Sequence, residues 1–152
     1  MSTDTVDMFP LMGAQATVLA AGDTTGDAWE ALQLDLAPGA RSPRHTLGAD
    51  KLFAVVGGTV TIEVGDETRT VSDGPVWIPA GVPHCYRNTS DAPARMLVVV
   101  TGRSQVEFLR GMSRLTADGP PDPAAVAAHT AAHGVAILPA GDGAGRSSTT
   151  RS

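Results

Sequence analysis

Two histidines and a lysine stand where strand geometry turns side chains inward. In Gly74–Asn88, GPVWIPAGVPHCYRN, the residues Val76, Trp77 and Ile78 suit a pleated, half-buried strand. Pro79-Ala80-Gly81 and Val82-Pro83 then break the ladder with a fixed-φ residue and a permissive one. His84, Tyr86 and Asn88 follow at period two and share one face of the next strand. An inward imidazole after such a turn is a candidate acid, base or ligand; the alternative is a core histidine bonded to a neighbouring carbonyl. Upstream, His45 and Leu47 repeat the period-two spacing, and Lys51, Phe53 and Val55 share a face of the strand after them. Tyr86 lies on the face of His84 and Phe53 on that of Lys51, so both are expected at a cavity wall. Trp77 is expected in the core or the pocket wall. Cys85 alternates away from His84, which disfavours a Cys–His nucleophile.

The elements that must position these groups read as short strands. Ala16–Ala21 and Trp29–Ala37 alternate around the turn AGDTTGD, with Leu32, Leu34 and Leu36 at period two. Pro38-Gly39 ends the second of these, and Gly57-Gly58 ends the apolar run around Phe53. Thr59–Val64 and Thr68–Val71 flank Gly65-Asp66-Glu67 as a hairpin, and Ala94–Thr101 is a further buried strand. Roughly eight strands punctuated by turns predict an all-β sandwich or barrel. Beyond Ser104 the spacing of Val106, Leu109 and Arg110 predicts a short helix ending near Gly111. Asp122-Pro123 followed by AAVAAHTAAH and Gly134 predicts a second, with Asp as N-cap and Gly at the C-cap. The expected organisation is an arm over 1–12, a barrel over 13–104, a helical extension over 105–139 and a disordered tail over 140–152. His129 and His133, four apart near the end of the second helix, read as structural, since no third ligand accompanies them.

Composition narrows the class. A chain of 152 residues is long enough for one domain with a real core, and its 4% aromatic content leaves aliphatics to fill that core. A formal charge of −5 without a Lys/Arg cluster argues against nucleic acid. Apolar runs such as Met96–Val100 are too short to span a bilayer, and MSTDTVDMFP lacks the pattern of a signal peptide. Cys85 is the only cysteine, which fits a reducing cytoplasm.

With these residues in view, the chain resembles a family. Gly39-x5-His45-x-Leu47-x3-Lys51-x6-Gly58 is similar to the first cupin motif, and Pro79-x-Gly81-x2-His84-x3-Asn88 to the second. The resemblance covers about residues 15–105, and the helical tail resembles small single-domain, quercetin-dioxygenase-like cupins. It implies a double-stranded β-helix, a jelly-roll barrel with a site in its mouth, here with short C-terminal helices. In metal-dependent members the first motif gives two His and a Glu and the second gives one His. Carried over, those positions are His45, Leu47, Lys51 and His84. Leucine has no lone pair to donate, and a lysine ammonium repels a dication. Alternation turns Asp50 to the opposite face from Lys51 unless the strand starts after it, and the metal-dependent alternative would add water or Asp50 to His45 and His84.

The expected site therefore has His45, Lys51 and His84 as catalytic groups and no cofactor. Leu47, Phe53, Trp77, Tyr86 and Arg44 are expected around the ligand, and Arg41 and Arg44 either guard the mouth for an anion or are solvated. Lys51 would hold an enolate, phenolate or carboxylate oxygen, or act as base or Schiff-base nucleophile, beside neutral histidines. The expected function is acid/base chemistry next to a carbonyl (isomerisation, cyclisation or elimination) on an organic, phenolic or polyketide-like molecule of secondary metabolism. The alternatives are a dioxygenase holding Fe, Mn, Ni or Zn through His45 and His84, and a non-catalytic binding module in which Lys51 is only a rim residue. A small-molecule ligand and a homodimer, the latter from the resemblance, complete the expectations.

Overall fold

The computed structural model describes residues 6–139. Its strands form two antiparallel sheets that face each other across a single apolar interior. The first sheet contains β1 (Met8–Leu11), β2 (Ala14–Ala20), β3 (Trp29–Leu36), β10 (Ala94–Thr101), β5 (Lys51–Gly57) and β8 (Gly74–Ile78), in that spatial order. The second contains β11 (Val135–Ile137), β4 (His45–Leu47), β9 (His84–Arg87), β6 (Val60–Val64) and β7 (Glu67–Val71). This is the jelly-roll barrel expected from the turn-punctuated strands. The helices are α1 (Gly22–Thr25), a single turn inside the expected β2–β3 turn, α2 (Gln105–Leu115) and α3 (Pro123–Ala132).

Alternation builds the interior. Leu32, Leu34 and Leu36 of β3 face Met96, Val98 and Val100 of β10 and Phe53 and Val55 of β5 in one buried cluster. Val60 and Ile62 of β6 close it from the second sheet. Asn88, just past β9, is 1% exposed because its amide donates to the carbonyls of Leu36 and Ala92 and so ties the two sheets.

Several expectations shift. Part of the arm is a strand: Met8–Leu11 pairs in register with Ala14–Thr17. The first helix does not stop near Gly111 but continues to Leu115, because Gly111 is where His129 of α3 packs; a Cβ there would lie 2.1 Å from the imidazole Cε1. Asp122 caps α3 by accepting from the Ala124 N–H at 3.3 Å, with Pro123 at the first helical position, as its sequence predicts. The first five residues of the arm and the tail over 140–152 lie outside the described residues. None of the described helices is long and apolar enough to cross a membrane.

Candidate functional site

The sheets bring His45, His84 and Lys51 together from both sides of the barrel. On the second sheet His45 and His84 are direct register partners, with ring centroids 4.3 Å apart. On the first sheet Lys51 lies between Ile78 of β8 and Val100 of β10. Inward alternation sends its side chain across the interior, where Nζ lies 2.9 Å from His84 Nε2 and 3.4 Å from His45 Nε2.

The backbone settles the tautomers. His45 Nδ1 is 2.7 Å from the Pro43 carbonyl and His84 Nδ1 is 2.9 Å from the Val82 carbonyl. A carbonyl can only accept, so each Nδ1 carries the proton and each Nε2 turns a lone pair toward Lys51. His84 thus has both the neighbouring-carbonyl bond of a core histidine and a place in the cluster. An ammonium has three N–H donors, and two of Lys51's are directed at these imidazoles.

Burial sets the charges. Lys51 is 3% exposed, and desolvation lowers its pKa from 10.5 to about 7. Desolvation, and then repulsion from Lys51, hold His84 at about 4 and His45 well below its ordinary 6.5. Near neutral pH both imidazoles are therefore uncharged while the lysine exchanges its proton. The Nζ also sits 5.4 Å from the Phe53 ring centroid, a weak cation–π contact.

A cavity of about 60 Å³ opens beside this cluster. His45, Lys51, Phe53 and Tyr86 line it from the barrel. Helix α2 covers it with Gln105, Phe108, Leu109 and Met112, and β11 contributes Val135 and Ile137. The wall is almost wholly apolar. Burial pushes the Tyr86 phenol up, so it stays protonated and can donate. His84, 1% exposed and absent from the cavity wall, stands behind Lys51.

Three expected ligand contacts are corrected. Trp77 is 55% exposed: its neighbours Val76 and Ile78 face in, so alternation turns the indole outward. Arg44 follows the same rule beside His45; it bonds Glu63 at 3.1 Å and the Gly65 carbonyl at 2.8 Å on the outer face of the second sheet. Arg87 pairs with the same carboxylate. Leu47 does share the face of His45, but it packs in the core with Val135 as its register partner and does not reach the cavity. The α2 residues of the wall were outside the expected site. Their signal is the helical spacing of Phe108, Leu109 and Met112 with Gln105 one turn before them, which is visible only in a helix running past Gly111.

The donor set suits an ammonium better than a divalent ion. Among the described residues no group of three His, Cys, Asp or Glu side chains converges. Asp50, the nearest substitute for a missing carboxylate, is occupied: its Oδ1 accepts from the Ala80 N–H at 3.0 Å. Lys51 Nζ lies where the two Nε2 lone pairs point. His129 and His133 form no second centre, since His129 Nε2 donates to the Phe108 carbonyl at 2.9 Å and stacks on that ring.

Residues 32–100 match the family model described as a cupin domain. A solved RmlC-like cupin from Shewanella frigidimarina NCIMB 400 is similar at 13% identity and a TM-score of 0.60, over 70% of this chain and 93% of that one. A structure described as a sugar phosphate isomerase from a cupin superfamily, from Silicibacter pomeroyi DSS-3, is similar at 28% identity and a TM-score of 0.52, over 63% of this chain and 68% of that one. The oxalate decarboxylase of Bacillus subtilis, described with Mn(II) centres, aligns at 19% identity and a TM-score of 0.59, over 70% of this chain and 30% of that one. Comparison with curated proteins gives no match.

Proposed function

We propose that the barrel site of this chain, whose residues 32–100 match a cupin-domain model, is an enzyme centre running acid/base chemistry next to a carbonyl, with a buried lysine in place of a redox metal. One observation carries this reading: Lys51 Nζ is held at 2.9 and 3.4 Å by two imidazoles whose tautomers are fixed by backbone carbonyls. The similarity to a structure described as a sugar phosphate isomerase, at 28% identity, supports it at the level of reaction class.

The roles follow from position. In its ammonium form Lys51 keeps its bond to His84 and turns an N–H to the substrate carbonyl oxygen, where negative charge develops as an enolate forms. His45, neutral and on the cavity wall, takes the proton from the adjacent carbon through Nε2 and returns it to a neighbouring carbon or expels a leaving group. Tyr86 offers a second donor to the same oxygen. His84 does not line the cavity and acts on the substrate only through its bond to Lys51, so it is a positioning residue, which refines its expected catalytic role.

The cavity also bears on the substrate. A volume of about 60 Å³ suits a molecule of a few heavy atoms. A phenolic or polyketide-like substrate would require α2 to move away from the mouth.

Hydrogen–deuterium exchange provides the test. With butanone or 2-oxobutanoate in D2O, the protein is expected to catalyse exchange at the carbon beside the carbonyl, unaffected by chelators, and Lys51→Met is expected to abolish it. Near-stoichiometric iron, manganese, nickel or zinc in active protein, or loss of exchange with EDTA, would overturn the metal-free reading. Absence of turnover with any carbonyl compound, alongside Lys51-dependent binding, would favour a binding module.

A further inference from the structure

The cavity has two polar side chains that the proposed chemistry does not use, Ser42, whose Oγ accepts from the Tyr86 N–H at 3.2 Å, and Gln105. Gln105, the first residue of α2, is 5% exposed and lines the cavity wall, yet its side-chain oxygen Oε1 has no hydrogen-bond partner among the described residues. It is the single buried side-chain oxygen or nitrogen left in that state among them. Native proteins leave few such groups, because an acceptor taken out of water and left unpaired loses its hydration without return.

The residue is also held in place. Its neighbour Val106 donates its backbone N–H to Glu30 Oε1 at 2.8 Å, while Glu30 Oε2 accepts from the Gly22 N–H at 2.8 Å. Glu30 is itself 2% exposed, so a buried carboxylate fixes the first turn of α2 against β3. The Gln105 amide therefore comes from a rigid helix start and not from a loop. The rest of the cap (Phe108, Leu109 and Met112) is apolar and offers this acceptor nothing.

We infer that Gln105 is a specificity-determining residue whose side-chain amide hydrogen-bonds a hydroxyl of the ligand, with the ligand's carbonyl or carboxylate oxygen on Lys51. The inference rests on the proposed role of Lys51 and adds the substrate class. That class is a short hydroxylated oxo compound or hydroxy acid with an apolar middle. A ligand lacking the hydroxyl would leave the amide unpaired in its apolar wall, and the site would discriminate against it on that ground.

Butanoate and its 2-, 3- and 4-hydroxy derivatives make a suitable probe set, titrated calorimetrically at pH 6, where Lys51 carries its proton. At least one hydroxy derivative is expected to bind about fivefold to tenfold more tightly than butanoate, the worth of one well-made hydrogen bond. Gln105→Met is expected to erase that ratio, and Lys51→Met to weaken all four ligands at least about tenfold. The Gln105 side-chain amide signals in the nitrogen-15 spectrum of the unaltered protein should move with the preferred hydroxy acid and not with butanoate. That readout stands even if the Gln105 variant folds poorly. Equal affinities for all four, or a preference that survives Gln105→Met, would overturn the role of Gln105 and leave that of Lys51 intact. Failure of all four to bind would overturn both.

Discussion

Lys51 is costly to keep where it is. Lowering its pKa from 10.5 to about 7 means that, while charged, it weakens the fold by on the order of 5 kcal/mol relative to an unburied lysine. Among the described residues no carboxylate pairs with it to offset this; its bonds go to two neutral imidazoles. Replacement by methionine, close in length and apolar, is therefore expected to stabilise the protein by about 1–3 kcal/mol at pH 6 even as it removes exchange activity. The sign follows from proton counting. Between pH 7 and 10.5 the unfolded chain holds the lysine proton and the folded chain does not, so wild-type stability from this group rises with pH. The advantage of Lys51→Met should be largest below pH 7 and fade by about pH 10.5, as read by urea denaturation across that range. A variant less stable than wild type throughout would mean that Lys51 is structural. The same charges predict the activity profile. If the ammonium serves the enolate oxygen, kcat/KM falls as pH rises through about 7; it falls again well below 6.5, where His45 gains a proton. A rise through pH 7, together with borohydride trapping of a carbonyl substrate on Lys51, would instead mark the neutral amine as nucleophile.

The cap over the mouth depends on two contacts between elements. Glu30 receives the N–H groups of Gly22 and Val106 in a buried setting, so Glu30→Ala leaves two donors without their carboxylate. A loss of about 2–4 kcal/mol is expected, with faster exchange of the Val106 amide before that of the β3 amides. Gly111→Ala tests the other contact: its methyl would meet the His129 ring, so α3 must move from α2 or the imidazole must leave its stack on Phe108. Ligand affinity is expected to fall in both variants without any change to the barrel side chains. These elements also mark how far the sequence can be read. The barrel is legible because nearly every strand alternates and every turn carries Gly, Pro or Asp. His45, Lys51 and His84 are legible as inward residues by the same period. Trp77 and Arg44 could have been excluded from the site by it, since each follows or precedes an inward neighbour. What local pattern does not carry is the distance between sheets: that Lys51 spans the interior to reach both imidazoles is a consequence of closure. Nor does it carry the cap. The polarity of Gln105 resembles that of any helix-start residue until the fold places it over the mouth.

At the scale of the whole molecule, the outer face of the first sheet is the feature the site does not explain. Trp77, Leu52, Val99 and Ala31 are register neighbours in one row across β8, β5, β10 and β3, and none is charged. Trp77 at its edge is 55% exposed and Val56 52%. Exposed apolar side chains such as Trp77 and Val56 on one face of a sheet suit association better than solvent. The described part of the arm is already paired with β2 of its own chain. The expected second copy of this chain is predicted on this outer face: a two-fold axis through the row would set it against itself, and with no charge in the row no like charges would be forced together. The prediction is a homodimer by sedimentation velocity at tens of micromolar, with Trp77→Glu shifting it to monomer while leaving its circular dichroism and ligand affinity unchanged. The unchanged affinity matters as much as the dissociation, because Trp77 faces away from the cavity and the site is lined from within one chain. A monomer in the unaltered protein, or a Trp77→Glu variant that stays dimeric, would move the interface elsewhere. Loss of ligand binding in that variant would mean that the face supports the barrel from outside, coupling assembly to the strand that holds Lys51.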